Sequence, residues 1–219
     1  NKIHQIELPI CFLNIGGISN ITKVIKNDEK IEENLEAFDS GPGNCMIDDW
    51  VRKNSKYNFD ENGSIAKSGK INQLILNQSI ENFKIDSFDK SLDVKEFDIS
   101  FARGLSLEDG CATITNFTAY LIAKGIEHAN GSNNKSIKYI VCGGGRKNSF
   151  LIQSIENYLK NKKNISLSSI DEYNLDGDYV ESQAFGYLAI RSFLNLPISY
   201  PKTTGCVTPT TGGKLVENF

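Results

Sequence analysis

The chain has 219 residues, 39% hydrophobic and 23% charged, which is ample for a sizeable core and too apolar for a disordered polypeptide. A net charge of −3 argues against a general nucleic-acid binder, which carries a basic excess. No run approaches the roughly 20 apolar residues of a membrane span, and no basic stretch followed by an apolar one marks a secretory signal, so neither nucleic acid nor membrane is expected as a partner.

The chain begins with Asn1 rather than Met, and a polar run over residues 1–5 leads directly into a strand, as in a piece of something longer. Residues 10–25 form two short strands turning at Gly16–Gly17, the pattern of a hairpin. A polar loop over 27–33 follows, then a strand over 35–38 that enters a loop dense in turn formers, Asp39–Ser40–Gly41–Pro42–Gly43–Asn44. A helix opens over 46–51 with Ile47, Trp50 and Val51 on one face. After a turn at 60–64, a helix over 71–80 carries Ile71, Leu74, Ile75 and Gln78 along one side, and 83–101 is mostly irregular.

Ser106 is a plausible N-cap with Asp109 as its capping-box partner, ahead of a helix over 112–127 that buries Ile114, Phe117, Tyr120, Leu121 and Ile126. A loop at 131–135 precedes a buried strand over 136–142, which ends in Gly143–Gly144–Gly145. Asn148 or Ser149 caps a helix with Leu151, Ile155, Tyr158 and Leu159 on one face, and 165–168 is a short strand. A last helix over 180–194 has Ala184, Phe185, Leu188 and Phe193 as its apolar set, and the tail from Pro197 is extended. Strands and helices alternate in the second half, which makes the chain α/β, without repeats or low-complexity segments.

Five scattered cysteines, Cys11, Cys45, Cys111, Cys142 and Cys206, have no CxxC pair and no zinc-ligand spacing; they fit a reducing cytoplasm and structural roles. With only His4 and His128 present, histidine-based catalysis has little to draw on.

Three glycine-bearing loops close apolar strands: Gly16–Gly17, Gly41–Pro42–Gly43 and Gly143–Gly144–Gly145. Each could be a tight turn alone, or a place where a phosphate meets backbone amides; three in one α/β chain favour a nucleotide or phosphoryl ligand. GxxxxGK[ST] and GxGxxG are both absent, which removes P-loop and dinucleotide folds. Asp39 has two readings, an Asx-turn residue or a general base held by rigid backbone at the mouth of a site. Glu181 has two as well, a first-turn charge set against the helix dipole or a site residue.

Residues 14–22, Asn14–Ile15–Gly16–Gly17–Ile18–Ser19–Asn20–Ile21–Thr22, together with Phe38–Asp39–Ser40–Gly41–Pro42–Gly43–Asn44, resemble the core signature of the anhydro-N-acetylmuramic acid kinase family. Further matches follow in order: Asp109–Gly110–Cys111–Ala112–Thr113, Cys142–Gly143–Gly144–Gly145–Arg146–Lys147–Asn148, Glu181–Ser182–Gln183–Ala184–Phe185–Gly186, and Thr203–Thr204–Gly205. The resemblance covers essentially the whole chain. It implies the acetate and sugar kinase/actin-like (ribonuclease H-like) fold, two α/β lobes around a cleft, with residues 1–219 as a single C-terminal lobe. The activity it implies belongs to cell-wall recycling: water opens the 1,6-anhydro ring of anhydro-N-acetylmuramic acid, and ATP phosphorylates O6.

By the same resemblance, Asp39 is the base that activates the water. Gly16 and Gly17 lie by the β- and γ-phosphates, and Gly143, Gly144, Gly145 and Asn148 meet the nucleotide. Asn20 and Glu181 are the candidate sugar contacts. Mg²⁺ is expected to be held through phosphates and waters, without a protein ligand. A cytoplasmic location is expected, and the assembly is left open between monomer and homodimer. Two departures stand out. The family's Gly-Thr-Ser-x-Asp-Gly phosphate loop has no counterpart here. Its Pro-Pro-Lys-Ser segment reads Phe88–Asp89–Lys90–Ser91, with Val94 where Arg is usual. The expectation is therefore a fragment inactive alone; a non-catalytic nucleotide- or sugar-binding remnant and another sugar kinase of the superfamily are the alternatives.

Overall fold

Strands β1 (Ile10–Ile15) and β2 (Ile18–Val24) pair antiparallel through the Gly16–Gly17 turn. Strand β3 (Leu35–Pro42) adds antiparallel to β2. Strands β4 (Ile137–Cys142) and β5 (Ile165–Ser169) add in parallel on the other side of β1, giving a five-stranded sheet of order β3-β2-β1-β4-β5. The computed structural model describes residues 8–25, 35–83, 87–88, 90–131 and 136–216. The loops expected at 27–33 and 132–135 lie outside these residues.

The pleat sends alternate side chains to opposite faces. Cys11, Leu13 and Ile15 of β1 and Ile137, Tyr139 and Val141 of β4 face the main core, while Ile10, Ile140 and Cys142 face a smaller cluster with Ile170. The main core is built around α4 (Leu107–Asn130), which packs against α1 (Cys45–Asn54), α2 (Ser64–Ser68), α3 (Gln73–Asn82), α5 (Ser149–Leu159) and strands β2 and β3. Every residue from Gly110 to Ala119 is buried, so α4 is a central helix and not the one-faced element its periodicity suggested. Ser106 caps it as expected, accepting from the Asp109 amide at 3.1 Å, but the Asp109 carboxylate accepts instead from the Lys70 amide at 2.7 Å. Close packing is allowed by Gly110, where a side chain would enter the Trp50 ring; the Trp50 Nε1–H donates to the Leu107 carbonyl at 2.9 Å.

Two apolar faces differ from expectation. In α3 the buried residues are Leu76 and Ser79, and Leu74 is 83% exposed. Asn72 caps this helix through the Ile75 amide, and its own amide donates to Thr113 Oγ1 at 3.0 Å, which fixes the roll of α3 on α4 and leaves Ile71 before the first turn. Helix α6 (Val180–Phe193) forms where expected but buries none of its residues: Phe185 is 67% and Phe193 70% exposed, and Ala184 and most of their neighbours are exposed too. The tail is not simply extended, since it holds the short helix α7 (Pro201–Thr204), which returns to β3. Among the described residues no helix is long and apolar enough to cross a membrane.

Candidate functional site

Asp39 lies inside β3, opposite Asn20 of β2, and not in a loop as expected. Pairing continues past it because the register shifts at Ser19/Asn20: Ser19 pairs with Gly41 and Asn20 with Asp39, leaving Ser40 as the extra residue of a bulge. The Ser19 hydroxyl lies 2.9 Å from that of Ser40 and 3.0 Å from the Gly41 carbonyl. Helix α4 supports the bulge from below, with Gly125 leaving room for Ser40 and Leu121 packed beneath Gly41. The Asp39 carboxylate accepts the Leu92 amide on Oδ2 at 2.8 Å. One carboxylate oxygen is thereby anchored by the 90–97 segment, and Oδ1 carries no such bond to Leu92.

Asp39 borders two adjoining clefts. The smaller, ≈ 210 Å³, also has Lys90, Leu92 and Glu96 on its walls. The larger, ≈ 790 Å³, has Asn20, Lys23, Glu36, Lys90, Ser91, Lys202 and Thr203–Thr204–Gly205. Phe38, Phe88 and His128 form its aromatic wall, with Phe88 stacked on His128 at 4.4 Å between ring centres. An anchored carboxylate beside lysines and hydroxyls suits a polar, hydroxyl-bearing substrate and the removal of a proton from it.

The glycine loops divide by task. The Gly16 and Gly17 carbonyls accept the amides of Asn44 at 2.7 Å and of Gly43 and Cys45 at 2.8 and 3.1 Å, so the start of α1 is capped by the hairpin turn. The loop after β4 is different. Gly143 has φ +79°, and a side chain there would press on Asn14 and Ile15; at Gly145 it would enter Ile15. Gly144 alone is exposed, and an added Cβ would have Asn44 Nδ2 as its nearest neighbour, 3.9 Å away. Gly144 and Asn148 share a separate cleft of ≈ 380 Å³ with Asn44, Asp48, Phe59, Asp60 and Lys147. Asn148 Oδ1 accepts the Leu151 amide at 2.9 Å and so caps α5. Burial pushes the Asp48 carboxyl up to about 6, Arg52 works against this, and nearby Asp60 adds to it. Gly144 leaves backbone open to approach on this wall; the cleft also carries Glu61, and the Lys147 ammonium on it is paired with Asp178 at 2.7 Å.

The family model described as anhydro-N-acetylmuramic acid kinase matches residues 3–218. The chain belongs to the anhydro-N-acetylmuramic acid kinase family. The enzyme of that name from Pelagibacter ubique (strain HTCC1062) is 51% identical over 219 residues, 99% of this chain and 57% of that protein. Those from Zymomonas mobilis subsp. mobilis and Caulobacter vibrioides are 38% and 37% identical, over 94% and 95% of this chain and 54% and 53% of theirs. The chain thus spans little more than half the length of these relatives. Among solved structures, the activator of the 2-hydroxyisocaproyl-CoA dehydratase from Clostridium difficile with bound ADPNP is 17% identical with a TM-score of 0.44, covering 76% of this chain and 55% of that one.

For a member of the anhydro-N-acetylmuramic acid kinase family, the expected site residues fall into groups. Asp39 and Asn20 share one cleft, and Gly144 and Asn148 share another. Glu181 borders neither and is exposed in the first turn of α6. Among the described residues no group of three His, Cys, Asp or Glu could hold a metal ion. Cys11, Cys45, Cys111 and Cys142 are buried free thiols, and burial raises Cys11 and Cys142 to about 11, which makes them unreactive. Two features escaped the sequence: the Leu92 amide on Asp39, and Lys90 on the walls of both Asp39 clefts. Lys90–Ser91, where the segment keeps the family's Lys-Ser, was the one available signal.

Proposed function

We propose that this chain forms the C-terminal lobe of an ATP-dependent kinase that hydrolytically opens the 1,6-anhydro ring of anhydro-N-acetylmuramic acid and phosphorylates O6, yielding N-acetylmuramic acid 6-phosphate and ADP. The observation that carries the reading is Asp39, whose Oδ2 is anchored by the Leu92 amide at the junction of two polar clefts. Oδ1 takes a proton from a water that attacks the anomeric carbon; the C1–O6 bond breaks as the new C1–O bond forms, and O6 becomes the phosphoryl acceptor. Asn20, directly across the ladder from Asp39, orients the sugar, and Lys90 balances charge on the cleft wall. Gly144 and Asn148 seat the nucleotide on the ≈ 380 Å³ cleft, flanked by Gly143 and Gly145, and Gly16–Gly17, which do not line it, are assigned to the terminal phosphates by the family resemblance. ATP supplies the transferred phosphoryl group, with Mg²⁺ held through its phosphates and waters.

Helix α6 supports the two-lobed part of the reading. A helix carrying Phe185, Tyr187, Ile190 and Phe193 on exposed positions, with exposed Leu194 just past its end, normally faces another surface, and a second lobe of a family-length polypeptide suits it. The buried free cysteines suit a reducing, cytoplasmic setting.

One observation favours a second reading, a non-catalytic binding remnant. Val94, standing where the family usually has Arg, lies beside Gly17: a Cβ on that glycine would be 3.9 Å from Val94 Cγ2. A cation is therefore missing next to the turn assigned to the terminal phosphates, where charge stabilisation matters most. The test is turnover of ATP with the anhydro sugar by a family-length polypeptide carrying this segment, alongside the 219-residue chain alone. The expected result is a phosphorylated sugar from the first and no turnover from the second. No product from the first, together with gain of activity in Val94→Arg, establishes the remnant; turnover by the second overturns the need for another lobe.

A further inference from the structure

Arg146 is a heavily engaged cation, yet none of the roles assigned above uses it. Its side chain is only 4% exposed. Nε donates to Asp171 Oδ2 at 2.8 Å, and Nη1 to Asp178 Oδ1 at 3.0 Å and to the Gly143 carbonyl at 3.1 Å. Asp171 in turn accepts the Gly177 amide at 3.0 Å and the Ser169 hydroxyl at 2.8 Å. A Cβ at Gly177 would meet the guanidinium, so a larger residue there would displace Arg146 from this network. The Arg146 bond, then the Gly177 amide, hold the Asp171 carboxyl well below the usual carboxylate range.

Burying a guanidinium is unfavourable unless its donors are matched, and here they are matched by groups from three separate segments: the loop after β4, the turn after β5 and the turn before α6. Both negative partners are taken, so Arg146 has no charge to spare for a phosphate. A plain strand-to-helix turn would not need this arrangement, since Gly143 makes the bend and Asn148 caps α5. The Gly143 carbonyl already accepts the Arg146 amide at 3.3 Å; the network adds a second, charged donor on it, and with it a firmer shape for the residue that follows, Gly144, on the wall of the ≈ 380 Å³ cleft.

We propose that Arg146 is a positioning residue for nucleotide binding: it clamps the Gly143–Gly145 backbone through the Gly143 carbonyl, braced by Asp171 and Asp178, so that Gly144 meets the nucleotide in a preset shape. This rests on the reading of that cleft as the nucleotide seat. The clamp acts through the backbone, so keeping the charge while losing the fork is not enough.

The experiment is titration of the family-length polypeptide with ATP, with melting temperature measured on each sample. Arg146→Lys is expected to weaken ATP binding at least about tenfold, in line with the sensitivity of bound geometry to ångström-scale shifts. Asp178→Asn would also free the Lys147 ammonium, which donates to Asp178 Oδ2 at 2.7 Å, so it is made in a Lys147→Gln background and is expected to weaken ATP binding about threefold relative to Lys147→Gln alone by removing one brace. Leu159→Ala, a buried residue of α5 away from the loop, serves as the destabilised control and is expected to lower the melting temperature without changing ATP affinity. ATP binding by Arg146→Lys equal to the unsubstituted chain overturns the proposal, as does an equal loss in Leu159→Ala at matched melting temperature. Where Arg146→Lys fails to fold, unchanged affinity on adding Asp178→Asn to Lys147→Gln overturns it. Absence of ATP binding by the unsubstituted family-length polypeptide overturns the nucleotide seat itself, and the clamp with it; the two failures are thus distinguishable.

Discussion

Replacing Asp39 by Asn separates a proton acceptor from a structural carboxylate. The side chain keeps its size, and the amide oxygen can still accept the Leu92 amide that Oδ2 accepts now at 2.8 Å. A hydrogen bond to a charged acceptor contributes about 1.5–3 kcal/mol and a neutral one about 0.5–1.5, so the exchange should cost about 1 kcal/mol. In a chain of this size that lowers the melting temperature by about 2–4 °C. Loss of a general base is worth about 10²–10⁴ in rate, or about 3–5 kcal/mol of barrier. The two outcomes differ by more than the error of either measurement. The assay is initial ADP release by the family-length polypeptide at saturating sugar, with thermal melts on the same preparations. We expect kcat to fall at least about a hundredfold with the melting temperature nearly kept. Turnover within a few-fold of the unsubstituted protein would refute the mechanism, and wholesale unfolding would make Asp39 a structural anchor for the Leu92 amide.

The remaining expectations concern the second cleft. Gly144→Val should leave the melting temperature nearly unchanged, because its side chain starts in open space, and should weaken ATP binding; Gly145→Ala should destabilise by about 1–3 kcal/mol, because its Cβ enters Ile15, and a thermal melt of each variant checks the contrast. Asp48, pushed up to about 6 from 3.8, binds more protons folded than unfolded between those values, so its contribution to stability falls as pH rises through that window and stays reduced above it. Asp48→Asn should therefore raise the melting temperature at pH 7 and give little difference near pH 4, and equal effects at both pH values would rule out the burial of a charge there.

Much of the architecture was legible because glycine and apolar runs bound each element. The β1–β2 hairpin, β4, the Asn148 cap and α5 all fall where the local chemistry places them. Periodicity identifies an apolar stripe but not what covers it. Phe185 and Phe193 of α6 were grouped correctly as apolar, and yet they face outward. In α3 the roll is set by a bond between the Asn72 amide and Thr113, forty-one residues apart, which no local pattern contains. Asp39 was singled out from its glycine-rich surroundings, but those same turn formers hid its place in a strand. The strand survives them because Ser19, on the neighbouring strand, supplies the hydroxyl that ties down the Ser40–Pro42 stretch.

The bulge at Ser40 bears on how this segment can vary in length. Ser40 is the one residue of the stretch without a ladder partner, so a chain lacking it could still zip β3 to β2 pair for pair, from Leu35 opposite Val24 to Pro42 opposite Ile18. Such a deletion would preserve the sheet and remove the bend that aims Asp39. Ser40→Ala, by contrast, would keep the bend and lose only the hydroxyl contact with Ser19. At this position the direction of the Asp39 carboxylate depends on a count of residues rather than on a side-chain identity, so the loss of one residue would redirect it while leaving every ladder pair in place.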